Sequence, residues 1–136
     1  MRRAVVLLAL LAATPIGAQA DVCDDAARAV AARRVESSRH VLVFRTASSI
    51  EVGRHFSVDA VVCARGDAPP ATGLRVDAVM PAHRHGMNYR PSVSPRGDGR
   101  FVADGLMFHM PGHWQLLFDV VTSAGVDRIV ADVSLE

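Results

Sequence analysis

Apolar and polar positions alternate along most of the chain after residue 40. His40-Val-Leu-Val-Phe-Arg-Thr46 is β-branched and aromatic, which predicts a strand. From His55 to Cys63, Phe56, Val58, Ala60 and Val62 fall on one face and His55, Ser57 and Asp59 on the other. A period of two marks a half-buried strand. Leu74, Val76, Ala78 and Met80 repeat the pattern against Arg75 and Asp77. Trp114, Leu116, Phe118 and Val120 form the most apolar inward row, and Val126 to Leu135 predicts a closing strand. Arg100–Ala103 and Leu106–Met110 read as one strand broken by a bulge at Asp104-Gly105. Tyr89–Val93 is expected to be a short strand.

Turn residues separate these runs. Ile50–Arg54 with Gly53, Arg65–Thr72 with Gly66 and Pro69-Pro70, Pro95–Gly99 and Thr122–Gly125 mark turns and loops, each with glycine, proline or small polar residues. Pro111-Gly112 suits the central positions of a type II turn, where the second residue needs a positive φ. Arg96-Gly97-Asp98 lies in one of these turns and is read as turn chemistry. Short strands at this spacing predict an all-β antiparallel sandwich of about seven strands. No internal repeat, linker or second domain is visible.

The first 39 residues have a different texture. Arg2 and Arg3 precede an apolar run from Ala4 to Ala13, and Ala18-Gln19-Ala20 is a small-x-small site. Residues 1–20 are therefore expected to be a secretory signal peptide of the Sec type. The apolar run is short for a bilayer span, so no stable membrane span is expected after cleavage; an uncleaved anchor is the alternative. Residues 21–39, rich in alanine and arginine, predict a short helix or irregular arm. Residues 40–136 then form the sandwich domain.

The 136-residue chain has a formal charge of +1, which becomes −1 when Arg2 and Arg3 leave with the leader. That balance offers no electrostatic case for nucleic acid. All basic residues are arginine, and the alanine and valine content suits a GC-rich bacterial genome. Two cysteines, Cys23 and Cys63, are expected to form a disulfide in an exported protein. A thiolate metal pair is the other reading.

Candidate chemistry concentrates between residues 80 and 114. Four of the six histidines lie there, His83, His85, His109 and His113, with Met80, Met87, Met107 and Met110. Imidazole and thioether are neutral copper ligands. Mixed His/Met sets suit Cu(I), and imidazole-rich sets suit Cu(II). No Asp or Glu lies inside Met80–Tyr89 or Phe108–Trp114, which argues against calcium or magnesium. His83, His85 and Met87 are two apart and would share one side of an extended segment. Met80 continues a buried row and reads as core. Met107 and Met110 also suit core packing, and His113 reads as a surface residue. Strand parity puts His109 and Met110 on opposite faces, so both reach one metal only if the chain bends. His40 and His55 read as structural or exposed. The other reading of the window is metal-free: its histidines bond loop carbonyls and fix the segments. No nucleophile elbow, zincin motif, phosphate loop or acid pair is present, so no enzymatic activity is expected.

Three blocks carry a family resemblance: Val79-Met-Pro-Ala-His-Arg-His-Gly-Met-Asn-Tyr89, Gly97-Asp-Gly-Arg-Phe101 and Gly105-Leu-Met-Phe-His-Met-Pro-Gly-His-Trp114, followed by Leu117-Phe-Asp119. Together they resemble the YtkA-like domain family over roughly residues 40 to 134. These are small exported bacterial domains related to the periplasmic part of FixH-type proteins of cytochrome oxidase assembly. The resemblance implies an immunoglobulin-like sandwich and copper handling. By position it makes His83, His85, Met87, His109 and Met110 the candidate ligands. Function is then expected to be copper binding or delivery in the periplasm or outside the cell, with a copper-receiving or assembly protein as partner. The rival expectation is a metal-free interaction or assembly module of the envelope or respiratory chain.

Overall fold

A computed structural model describes the backbone of residues 17–136 and side chains from residue 22 onward. Residues 1–16, most of the expected leader, lie outside the described residues. Among the described residues, nine strands form two antiparallel sheets packed as the sandwich the alternation predicted, two more than the seven or so expected. The first sheet holds β1 (Arg33–Glu36), β2 (His40–Thr46), β3 (His55–Ala64), β6 (Ser92–Gly97) and β7 (Arg100–Met107), in the order β1-β2-β3-β7-β6. The second holds β4 (Gly73–Met80), β5 (His85–Gly86), β8 (Gly112–Thr122) and β9 (Gly125–Leu135), in the order β5-β4-β8-β9.

The inward rows expected from the sequence meet between the sheets. Phe56, Val58, Ala60 and Val62 of β3 face Leu74, Val76, Ala78 and Met80 of β4 and the Trp114–Val120 row of β8 across one buried cluster. Ile129, Ala131 and Val133 of β9 complete it. The bulge falls where expected. Between the Phe56↔Leu106 and Val58↔Ala103 pairs the register shifts, leaving Asp104 and Gly105 opposite Ser57. Gly105 takes a φ of 88°, which a side chain resists.

Three elements depart from the sequence reading. β1 was expected to be arm. Its Arg-Arg-Val-Glu sequence has little apolar signal, and it forms by pairing with β2 at the sheet edge while Val35 packs on the core. β5, only two residues long, is below what periodicity can detect. The short strand expected at Tyr89–Val93 lies further on, at Ser92–Gly97.

The helix α1 spans Gly17–Ala27 and runs through the expected cleavage point without a break. It lies on the outer face of the first sheet. There the Cys23–Cys63 disulfide, with Val41, Val43 and Val61, forms a second small buried cluster. The bond closes a separation of 40 residues and belongs with an oxidising compartment. Replacing both cysteines with serine is expected to lower unfolding free energy by about 2–3 kcal/mol, mainly by freeing the unfolded chain. Urea denaturation of the oxidised parent and the variant measures it, and reduction of the parent should erase most of the difference. Among the described residues, no helix is long and apolar enough to cross a membrane.

Candidate metal centre

The two sheets bring the His-bearing segments together at one end of the sandwich. At the end of β4 the chain enters a 3₁₀ turn, Pro81–His83, and Arg84 takes a left-handed φ of 54° before β5 begins. This four-residue connection folds β5 back on β4, pairing His85 with Met80 and Gly86 with Val79. Paired residues share a sheet face. His85 therefore lies on the same face as buried Met80, the face turned toward the other sheet. The extended geometry expected for residues 83 to 87 holds only from His85 onward, because the left-handed Arg84 interrupts the alternation at His83.

The second segment arrives from the opposite layer. β7 ends at Met107, and residues 108–111 cross from the first sheet to β8 in the second. Strand parity does not govern this crossing, so the expected separation of His109 from Met110 by face does not apply. Phe108 is fully buried and stacks on Trp114, with ring centres 4.6 Å apart. The Phe108 carbonyl accepts a hydrogen bond from Gly53 N–H at 2.8 Å. Trp114 Nε1 donates to the Met110 carbonyl at 3.1 Å, which fixes the turn over the indole. Gly112 supplies the positive φ expected of it, 122°. A side chain there would press on the Met80 methyl, 3.0 Å from the Cβ position.

The result is a row of three imidazoles, two of them against the Trp114 indole. His83 and His85 ring centres are 5.7 Å apart, and His85 and His109 are 5.0 Å apart. The indole centre lies 5.8 Å from His85 and 5.3 Å from His109, edge-on to both. Two imidazoles bound to one ion through metal–nitrogen bonds near 2.0–2.1 Å have ring centres roughly 5–6 Å apart. Both spacings fall in that range. His85 is the middle of the row.

Hydrogen bonding decides which nitrogens remain available. His85 Nδ1 donates to the Gly86 carbonyl at 3.2 Å. A carbonyl only accepts, so the Nδ1 carries the proton and the neutral ring keeps its lone pair on Nε2. Metal-binding histidines are commonly oriented in this way. His109 Nδ1 is buried and is the one such side-chain nitrogen or oxygen without a hydrogen-bond partner among the described residues. A buried polar atom left unpaired costs about 1–3 kcal/mol, and a bound cation would offset that cost.

The remaining candidates are placed differently. Met87 and Met110 are half-buried and pack on the interlayer core, which accounts for their side chains. Met80 is buried core, as expected. His113 is exposed and donates from Nε2 to Asp132 at 2.8 Å, as a surface residue at the strand start. His55 is exposed beside Tyr89, with ring centres 5.1 Å apart. Among the described residues, no group of three or more His, Cys, Asp or Glu side chains is already gathered in metal-binding geometry. The three histidines form a row rather than a closed cage.

A second polar cluster sits at the opposite end of the sandwich and was not anticipated. His40 is fully buried. Its Nε2 donates to the Pro69 carbonyl at 2.9 Å, and its Nδ1 is hydrogen-bonded to the Asp127 carboxyl at 2.7 Å. Ser37 Oγ donates to the same Asp127 oxygen at 2.6 Å and accepts from the Arg39 and His40 N–H groups. Burial pushes the Asp127 carboxyl up. The Ser37 and His40 hydrogen bonds and the Arg39 charge outweigh it and hold the carboxyl below its ordinary range. With both imidazole nitrogens spent on fixed partners, this cluster is a clamp between the sheets. One signal was legible: Asp127 occupies the inward parity of β9, in register with Ile129, Ala131 and Val133.

Fold and site together define a small disulfide-linked β-sandwich with a histidine row at one end. No protein-family model matches the chain, and no curated protein or solved structure is significantly similar to it. The resemblance to YtkA-like domains therefore rests on the His/Met blocks themselves.

Proposed function

We propose that this chain is an exported, periplasmic copper-binding or copper-delivery domain of YtkA-like type. The observation that carries the reading is the convergence of His85 from the β5 hairpin and His109 from the 108–111 crossing segment, with His109 Nδ1 buried and unpartnered. His85 Nε2 and His109 Nδ1 would supply the inner nitrogens. His83, exposed on the 3₁₀ turn, would supply a third that can let go during transfer. Imidazoles with neighbouring thioethers, and no carboxylate in either segment, favour copper over hard cations. Met87 and Met110 would join as soft ligands only by leaving the core surface they now cover. The disulfide supports an oxidising compartment such as the periplasm.

Copper titration tests this reading. The parent is expected to bind one copper per chain at micromolar metal or below. His85→Ala with His109→Ala is expected to weaken binding by at least about 100-fold, since both inner nitrogens are lost. Trp114 is the sole tryptophan, and its indole contacts both rings, so its fluorescence should respond to copper in the parent alone. Equal affinity in the double variant would sink the proposal.

One observation favours the metal-free module instead. Met87 and Met110 already pack on the interlayer core, and the three histidines form a row rather than a closed cage. In that case the histidine row stiffens the tip of a docking surface, and the parent binds no copper under the same conditions.

A further inference from the structure

β4 leaves part of its outer edge without a partner. It pairs with β8 from Gly73 to Val79 on one side, but with β5 only at Val79 and Met80 on the other. Beyond that pair, Met87 N–H donates to the Ala78 carbonyl at 3.2 Å, and the Asp77 carboxylate accepts from Ala78 N–H at 2.8 Å. Ala78 therefore points its backbone groups to the outer edge. Backbone direction alternates along a strand, so Leu74 and Val76 do the same. Among the described residues, no strand or side chain pairs with these two N–H and two carbonyl groups. Proteins usually cover such edges because they template strand pairing.

The edge opens into a groove of about 580 Å³ between β4 and the segment leading to β6. Met87, Tyr89, Pro91 and Val93 give it an apolar wall, and Tyr89 is 46% exposed. Arg75 and Arg90 border it, and among the described residues neither makes a salt bridge, although Arg75 lies opposite Asp119 of β8 and its charge helps hold that carboxyl low. The other acids nearby are occupied: Asp119 is held by two Arg128 bonds of 2.7 and 2.9 Å, and Asp77 caps Ala78.

We propose that the β4 edge is a docking site for an extended acidic segment of a partner protein, which adds as a strand beside Leu74–Val76 with a carboxylate opposite Arg75. The alternation sets the motif: apolar residues opposite Leu74 and Val76 face the groove wall, and the acid between them faces outward. A second copy of this chain fits poorly. Two-fold antiparallel pairing through the four free groups would set Leu74 against Val76 and Arg75 directly against its own copy, in the closer kind of cross-strand pair. The docking site is four residues from Met80, so the added strand would end roughly 14 Å from the His85 hairpin. It stands whether or not the histidines bind metal.

The test uses the exported chain labelled for NMR and two blocked peptides, Thr-Val-Asp-Val-Thr and Thr-Val-Lys-Val-Thr. Expected are amide shifts confined to Leu74–Ala78 and the groove wall, and at least about fivefold tighter binding of the aspartate peptide, from the cross-strand charge pair. Arg75→Glu, an exposed change, should reverse the preference. Val76→Pro removes an outward N–H, as edge strands tolerate, and should abolish binding while β8 and β9 amides stay protected. Slow exchange of the Leu74 and Val76 amides in the free chain would show that the edge is already covered and overturn the proposal. So would no shift at millimolar peptide, equal binding of both peptides, or a concentration-dependent dimer that buries this edge.

Discussion

Replacing Trp114 with alanine is expected to lower the unfolding free energy by about 3–5 kcal/mol, the range for deleting a large buried aromatic side chain. The indole is fully buried at the end of the interlayer core. It stacks on Phe108, supports both inner histidines and donates to the Met110 carbonyl. Alanine removes all four contacts and leaves a cavity under the crossing segment. Urea denaturation measures the loss. Trp114→Phe separates packing from hydrogen bonding: it keeps an aromatic ring but frees the Met110 carbonyl, at an expected cost of about 1–3 kcal/mol. If the indole also holds the histidine row in place, the alanine variant should lose copper affinity while still folded at low temperature. Unchanged affinity in a folded variant would assign the positioning of His85 and His109 to their backbones alone.

Asp127→Ala is expected to cost about 1–3 kcal/mol for each group it leaves without its hydrogen-bond partner, the buried His40 ring and the part-buried Ser37 hydroxyl. The His40 ring, fully buried, would keep Pro69 as its one fixed acceptor, and Ser37 would lose its own. The clamp also predicts acid sensitivity. The Asp127 carboxyl is held below its ordinary value in the folded chain. The unfolded chain therefore takes up the proton first as pH falls. The stability from this group is fully present above the unfolded carboxylate value of about 3.9. It is lost as pH falls through the lower folded value. Urea midpoints at pH 6 and pH 3 should converge more for Asp127→Asn than for the parent, since the variant lacks the titrating group. An identical acid slope in the two proteins would place the sensitivity elsewhere; the Asp119–Arg128 pair, whose carboxyl is likewise held low chiefly by its Arg128 hydrogen bond, is the next candidate.

Much of the sandwich was legible in the chain. β3, β4, β8 and β9 place apolar residues at every second position, and a half-buried strand imposes that period directly. The bulge at Asp104-Gly105 and the positive φ of Gly112 were legible for a related reason, since few residues other than glycine hold such backbone at low cost. β1 and β5 were not legible. One is an edge strand of charged residues and the other has two residues, so neither carries a period.

The candidate site divides in the same way. His83, His85, His109 and the methionines between and beside them stood out by residue type and crowding alone. The sequence by itself determined that two short segments carry imidazole and thioether side chains, that two cysteines were available for one bond, and that alternating strands would build two layers. Only the tertiary structure decided which of these side chains meet. The left-handed turn at Arg84 takes His83 out of strand parity, and the crossing at residues 108–111 suspends parity for His109 and Met110. The layered packing then brings His85, from the β5 hairpin, and His109, from the crossing segment, onto one indole. The same packing joins His40 to Asp127 across 87 positions and leaves the Leu74–Val76 edge bare. Periodicity reports which way a side chain points relative to its own strand. Which other strand it faces depends on how the sheets are ordered and stacked, and no local pattern encodes that.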